Sequence, residues 1–365
     1  MNSQQYLDGI NNSTMNFLKS NKVLNHPEKY GDWYKNGDTS GPITIKIDLT
    51  NVCNHDCPGC IDYELIHNDN NSLNLNLFEG LLDSLKSCGV KGINYTGGGE
   101  PTTHKNFDKI IELTHKKGFS IGLICNGSMF HKWNMRMLLP MFTWIRISLD
   151  AYSTETHKKT HGKTANFERT VKNLKLLSTL KRMYNYKTTI GAGYITNQYP
   201  EMDRELYKFI EVCKKSKIDY AQLRPSFGFL YDYKSVDSNE LKKIFKNAKS
   251  YEDEKFSVII DEGKYEKILA GKGTCRSYNS CHAQSFKATT ITATGDVYIC
   301  CSLTGVKEGW LGNIKKESFY NIWNGNNRKN ILEKLDVNKC PHLCVGDNLN
   351  EFLDKIKLAK HKDFL

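Results

Sequence analysis

Apolar and polar residues alternate from Ile43 through Ile45 and Ile47 to Leu49, the period of a half-buried strand. The period then changes: Phe78, Leu81, Leu82 and Leu85 recur at i, i+3, i+4 and i+7 and run out at Gly89, which predicts an amphipathic helix. The two periods keep trading places. Strands are predicted at 90–96, 119–125, 144–150, 188–195 and 220–224, and helices at 107–117, around 133–139, at 167–180 and at 201–214. Six strand–helix steps imply a parallel sheet, because each crossover helix returns the chain to the same end. Periodicity leaves open whether that sheet is doubly wound or curls into a complete or partial barrel. In either architecture the functional residues gather past the C-terminal ends of the strands. Beyond residue 226 the alternation fades into a helix at 240–248, a short apolar stretch at 256–260 and a cysteine-rich tail.

The residues with chemical character fall at those strand ends. After the first strand comes Cys53-Asn-His-Asp-Cys57-Pro-Gly-Cys60, a C-x3-C-x2-C triplet. Three thiolates suit a [4Fe–4S] cluster with one iron free of protein ligands, or a zinc ion completed by His55 or Asp56. After the second strand comes Gly97-Gly98-Gly99-Glu100-Pro101, whose bare backbone lets a ligand approach main-chain N–H and C=O groups. A phosphate loop is disfavoured, since Glu100 repels anions and no Gly-Lys-Ser/Thr ending follows. Asn126-Gly127 closes the third strand and Arg146-Ile-Ser148-Leu-Asp150-Ala the fourth.

In order and position these four segments resemble those of the radical S-adenosylmethionine (SAM) superfamily, over residues 40–225. The resemblance implies an α/β fold: a partial (β/α)6 TIM-like barrel over 41–269, preceded by an N-terminal arm at 1–40. It implies a [4Fe–4S] cluster on Cys53, Cys57 and Cys60, whose free iron takes the amino and carboxylate groups of SAM. Gly97, Gly98, Gly99 and Glu100 are then expected at the methionine end of SAM, with Asn126, Ser148 and Asp150 helping to hold it. Reductive cleavage of SAM would give a 5′-deoxyadenosyl radical that takes a hydrogen atom from the substrate. Such chemistry implies an electron donor of the flavodoxin or ferredoxin type. In one departure, many members carry an aromatic residue just before the third cysteine, where this chain has Gly59; Tyr63 is the candidate to stack on the adenine instead.

Twelve cysteines are many for the cytoplasmic chain that the polar start and the absence of a long apolar run suggest. In that compartment clustered cysteines indicate metal or redox chemistry rather than disulfides. Six lie after residue 270: Cys275, Cys281, Cys300, Cys301, Cys340 and Cys344. The run from Gly295 to Cys300 reads as the turn and second strand of a hairpin that delivers Cys300 beside Cys281. The succession resembles the SPASM/twitch extension of radical SAM enzymes, expected here as a small cysteine-rich C-terminal α+β extension over 270–365. It implies a second iron–sulfur cluster on Cys281, Cys300, Cys340 and Cys344. Structural zinc at the cysteine groups is the alternative, and would make the chain a zinc-stabilised interaction protein rather than an enzyme. Cys275 and Cys301 are packing thiols or alternative ligands.

Charge changes little. Lys and Arg number 51 against 40 Asp and Glu, a net +11, but no basic–aromatic stripe gathers them, so neither nucleic acid nor membrane is an expected partner. The short arm ahead of the barrel favours a small-molecule substrate for oxidation, epimerisation or bond formation; a ribosomal peptide or protein is the alternative. Cys125, at the end of the third strand, is a candidate hydrogen-atom donor for epimerisation, against the simpler role of a core thiol.

Overall fold

The structure is a computed structural model, and it describes residues 20–64, 69–196, 198–226, 238–270 and 276–360. Seven parallel strands stand side by side in chain order: β1 (Thr44–Ile47), β2 (Gly92–Tyr95), β3 (Ser120–Cys125), β4 (Trp144–Ser148), β5 (Thr189–Thr196), β6 (Tyr220–Pro225) and β7 (Ser257–Ile260). On the other side of β1 lie β8 (Thr290–Ile291), β9 (Asp296–Tyr298) and β10 (Trp310–Asn313). β8 runs parallel to β1, whereas β8, β9 and β10 pair antiparallel with one another. This is the expected partial TIM-like barrel, with one strand more than six. Residues 256–260 looked like a short apolar stretch because a four-residue strand is too brief for alternation to show. Its place is set by pairing with β6, Ala221 opposite Val258.

The registers sort strand residues by parity. One face carries Ile45, Ile93, Leu123, Ile147, Ala192 and Leu223, all at most 1% exposed. It packs against the apolar stripes of helices Leu75–Ser87, Phe107–Lys116, Phe167–Met183 and Leu206–Lys215. Each fully buried aliphatic or aromatic side chain there contributes about 1.5–3 kcal/mol. The opposite parity carries polar and bare positions, Lys46 and Asp48, Asn94, Gly122, Arg146, Gly191 and Gly193, then Gln222 and Arg224, with Ile124, Ile195 and the rings of Trp144 and Tyr220 among them. That face lines the lumen.

Caps set the helix starts. Asn74 accepts from Asn76 N at 2.9 Å and Asn166 from Arg169 N at 2.9 Å, each satisfying an orphan N–H of the first turn. Helix Thr154–His161, between β4 and β5, was not expected: it is polar nearly throughout, so it has no apolar stripe. Its readable signal is the reciprocal cap between Ser153 and Thr156. The predicted helix at 201–214 is two pieces, Pro200–Asp203 and Leu206–Lys215. Near the start of the described chain, Trp33 of helix Pro27–Asn36 is fully buried against Phe286 and Leu353, joining that helix to the C-terminal region.

Candidate active site

The triplet loop is fastened at both ends. Thr50 Oγ1 meets Ser72 Oγ at 2.7 Å, and Asn51 Nδ2 donates to Asp69 Oδ1 at 2.7 Å. Cys53, Cys57 and Cys60 are half-buried and carry no disulfide. Burial pushes the Cys53 thiol up to about 11 and Cys57 higher still, with neighbouring thiols adding to the Cys57 shift. A set of buried thiols that resists ionisation on its own is suited to a metal, which holds them as thiolates.

The glycine run lies directly against this loop. Gly99 N donates to Thr50 O at 2.7 Å and Glu100 N to Val52 O at 2.9 Å. A Cβ on Gly99 would stand 2.2 Å from Val52 O, so no larger residue fits. Gly97 and Gly98 have φ of 49° and 63°, a region that glycine enters without steric cost. Gly98 N donates to Asp62 Oδ2 at 3.2 Å. Glu100 is turned inward, 3% exposed, and accepts from Asn126 N at 2.7 Å, from Thr102 N at 3.0 Å and from Thr102 Oγ1. Its carboxylate therefore splices the ends of β2 and β3. Asn126 Nδ2 in turn donates to Asn54 Oδ1 at 2.9 Å, returning to the cysteine loop.

Ser148 ends β4, half-buried, and Asp150 follows with φ 44°, a conformation unusual for a residue with a side chain. Asp150 Oδ1 accepts from Ile195 N at 2.6 Å, and Oδ2 lies 3.7 Å from His161 Nε2. Burial raises the Asp150 carboxyl to about 6, against the pull of Arg224 and the Ile195 amide. Tyr63, 47% exposed, stands three residues past Cys60. Cys125 is 4% exposed and, by register with Ile147, lies on the helix-packed face with the core. That parity points it away from the lumen, as a packed thiol would be.

Sequence reasoning named His55 but missed the two histidines that meet it, His157 and His161. His55, His157 and His161 stack with ring centroids 4.7–5.8 Å apart, and burial holds His55 and His157 neutral, near about 4. Among the described residues, His55, Cys57 and His161 are the ligand-type trio whose ligand atoms all lie within 4.8 Å of one another.

The C-terminal cysteines converge too. Cys281, Cys300, Cys340 and Cys344 line one small cavity with Ala283, Ile299 and Leu335. Asn350 Nδ2 lies 3.7 Å from Cys281 Sγ, and Gly346 N donates to Cys344 Sγ at 3.4 Å. Burial pushes Cys344 up to about 12 and Cys300 further. Four thiols around one cavity, two already receiving hydrogen bonds, fit an iron–sulfur cluster. Cys301 is not among the cavity's lining residues. Cys275 lies outside the described residues.

A parallel partial barrel with this triplet and glycine run at its rim, together with a four-thiol cavity, is the architecture of the iron–sulfur radical enzymes. The chain belongs to the radical SAM superfamily. The Radical SAM superfamily profile matches residues 47–222, and the SPASM iron–sulfur cluster-binding domain matches residues 281–345. Members bind a [4Fe–4S] cluster with SAM, and SPASM domains hold additional iron–sulfur clusters. The chain is 32% identical over 117 residues to an S-adenosylmethionine-dependent nucleotide dehydratase of Selenomonas ruminantium, covering 31% of this chain and 40% of that protein. It is 24% identical over 293 residues to the antilisterial bacteriocin subtilosin biosynthesis protein AlbA of Bacillus subtilis (strain 168), covering 78% of this chain and 60% of AlbA. It thus spans less than two thirds of the length of these relatives. In fold it resembles Streptococcus suis SuiB bound to SAM, with TM-score 0.63 at 15% identity over 83% of this chain and 70% of SuiB. It also resembles anSMEcpe with bound SAM, with TM-score 0.56 at 18% identity over 80% and 83%. Among the described residues no helix is long and apolar enough to cross a membrane.

Proposed function

We propose that this chain reductively cleaves SAM at the site of Cys53, Cys57 and Cys60 and directs the 5′-deoxyadenosyl radical at a substrate held in the barrel lumen. The observation that carries this is the interlocking at one rim: cysteine loop, glycine run and Asn126 joined by Gly99 N to Thr50 O, Glu100 to Asn126 and Asn126 to Asn54. When bound, the cluster supplies the electron that breaks the SAM sulfonium. The chain's own residues orient the ligand. The Gly97–Gly98 turn is assigned to the methionine end, with Ser148 and Asp150 beside it at the end of β4. Tyr63 is the aromatic ring nearest in sequence to the third cysteine and is assigned to the adenine. Residues 41–269 form the catalytic unit and 270–365 the auxiliary unit, with Cys281, Cys300, Cys340 and Cys344 holding the second cluster. An electron donor of the flavodoxin or ferredoxin type serves the first.

The substrate assigned is a small molecule that is oxidised, epimerised or bonded, supported by the enclosed polar lumen. A ribosomal peptide is the second reading, favoured by the alignment with AlbA over 78% of this chain. Anaerobic reconstitution, iron and sulfide counting, and incubation with SAM and dithionite test the main claim. Two four-iron clusters give about eight irons per chain, and 5′-deoxyadenosine should accumulate. Bound zinc with no SAM cleavage would overturn it.

A further inference from the structure

The lumen contains a charge arrangement that the steps above do not use. Arg146 leaves β4 and crosses β5 at Gly193, where an added Cβ would stand 3.7 Å from Arg146 Cδ. Its Nη1 then donates to Gln222 Oε1 on β6 at 2.5 Å. Arg224, two residues further along β6, shares that face. Two residues the other way, towards the N-terminal ends of the strands, Trp144 and Tyr220 spread their rings over bare backbone. Added Cβ atoms on Gly122 and Gly191 would come within 2.4 and 2.2 Å of those rings. The result is an aromatic floor beneath two guanidiniums.

The carboxylate of Asp150 attracts both guanidiniums from a distance. Among the described residues no carboxylate lies within 4.0 Å of either, and the Nε of each is buried without a hydrogen-bond partner. Burial drives the Arg146 pKa down to about 9, and Arg224 pushes it the same way. Two guanidiniums carry ten N–H donors between them, and Gln222 offers one accepting oxygen. Both side chains are only half-buried, so solutes can reach them. Like charges held together in a partly desolvated cavity lower stability unless an anion joins them.

We infer that the lumen binds an oxyanion of the substrate, a carboxylate or a phosphate, between Arg146 and Arg224. Gln222 fixes the fork of Arg146, and the Trp144 and Tyr220 rings close the floor beneath the bound group. Planar guanidiniums suit this role because they match the paired oxygens of either anion. Anchoring one end of the substrate at mid-barrel leaves its reacting C–H to point up toward the rim. This assignment rests on the lumen being the substrate chamber, as proposed above.

The test is calorimetric titration of the anaerobically reconstituted, SAM-loaded protein with inorganic pyrophosphate in one arm and glutarate in the other. At least one should bind at one site per chain, and the arm that does so identifies the anion class. Arg146→Gln and Arg224→Gln should each weaken that binding by at least about tenfold. Thermal unfolding separates function from structure. A structural arginine leaves a colder-melting protein when removed, whereas loss of anion binding with the melting temperature kept within about 2 °C of wild type assigns Arg224 to the anion. If a Gln variant does not fold, Arg224→Lys keeps the charge but loses the fork, and should bind the anion more weakly than wild type. Binding of neither anion to wild type, or equal binding by the variants, overturns the site. SAM cleavage by wild type in the same preparation keeps the two readings apart. Cleavage without anion binding sinks the anion site alone; anion binding without cleavage sinks the radical reading alone.

Discussion

Cys53, Cys57 and Cys60 come from one loop, whereas Cys281, Cys300, Cys340 and Cys344 are brought to one cavity from separate segments. The first set is shaped by its neighbours: the glycine run and the Glu100–Asn126–Asn54 chain hold the loop whether or not a metal is present. The second set itself sits on turns and strand ends, with helix Asp347–Leu358 starting three residues beyond Cys344. There the metal supplies cross-links that the backbone does not. A local ligand set leaves a coordination position free for chemistry; a dispersed set makes its metal part of the fold.

This contrast can be broken. Cys53→Ala should abolish 5′-deoxyadenosine formation while leaving the melting temperature within about 2 °C of wild type. Cys300→Ala should instead lower the melting temperature by roughly 10 °C or more. Equal melting losses in the two variants would erase the distinction. Gly99→Ala comes next: its methyl would strike Val52 O, which belongs to backbone and cannot swing away. A loss of about 2–4 kcal/mol is expected in chemical denaturation, together with weaker SAM binding. Glu100→Gln replaces one oxygen of a carboxylate that accepts from two residues, and should cost about 1–3 kcal/mol. Asn350→Ala removes the donor beside Cys281 and the acceptor of Ala283 N at 2.7 Å. It should cost about 1 kcal/mol and shift the potential of the auxiliary cluster, read by redox titration, without moving that of the first. The smallest effect is assigned to Cys125→Ala. Turnover should stay within about twofold, since the thiol packs among core side chains; a loss of epimerisation on an identified substrate would restore the hydrogen-donor role.

What the sequence made readable was whatever carries a period or a spacing. β1 to β6 announced themselves by alternation, and the cysteine and glycine groups by their position after strands. β7 was too short to alternate. Helix Thr154–His161 has no apolar stripe, so the histidines it brings to His55 were invisible despite the Ser153 cap. Arg146 was read only as part of a strand-end motif, and Arg224 only as the end of a strand. Their approach depends on the order and register of β4, β5 and β6, which pairing alone reveals. Glu100 was expected at the ligand; the inward turn that occupies its oxygens with Asn126 and Thr102 is a tertiary fact with no sequence period.

The pairing of β8 with β1 has a consequence for electron movement. β1 is bonded to β2 on one side and to β8 on the other, with Lys46 opposite both Asn94 and Thr290, and Asp48 N donating to Ile291 O at 2.8 Å. The strand that leads into the first cysteine loop is therefore the one that seats the hairpin leading to Cys300. No flexible tether sets the separation of the two metal sites; a hydrogen-bonded ladder does, and ladders do not stretch. An electron passing from a spent substrate radical to the auxiliary site would cross a gap of constant width. The timing of that transfer would then follow from the stiffness of β1, and the amides of Lys46 and Asp48 should rank among the slowest in the molecule to exchange with deuterium.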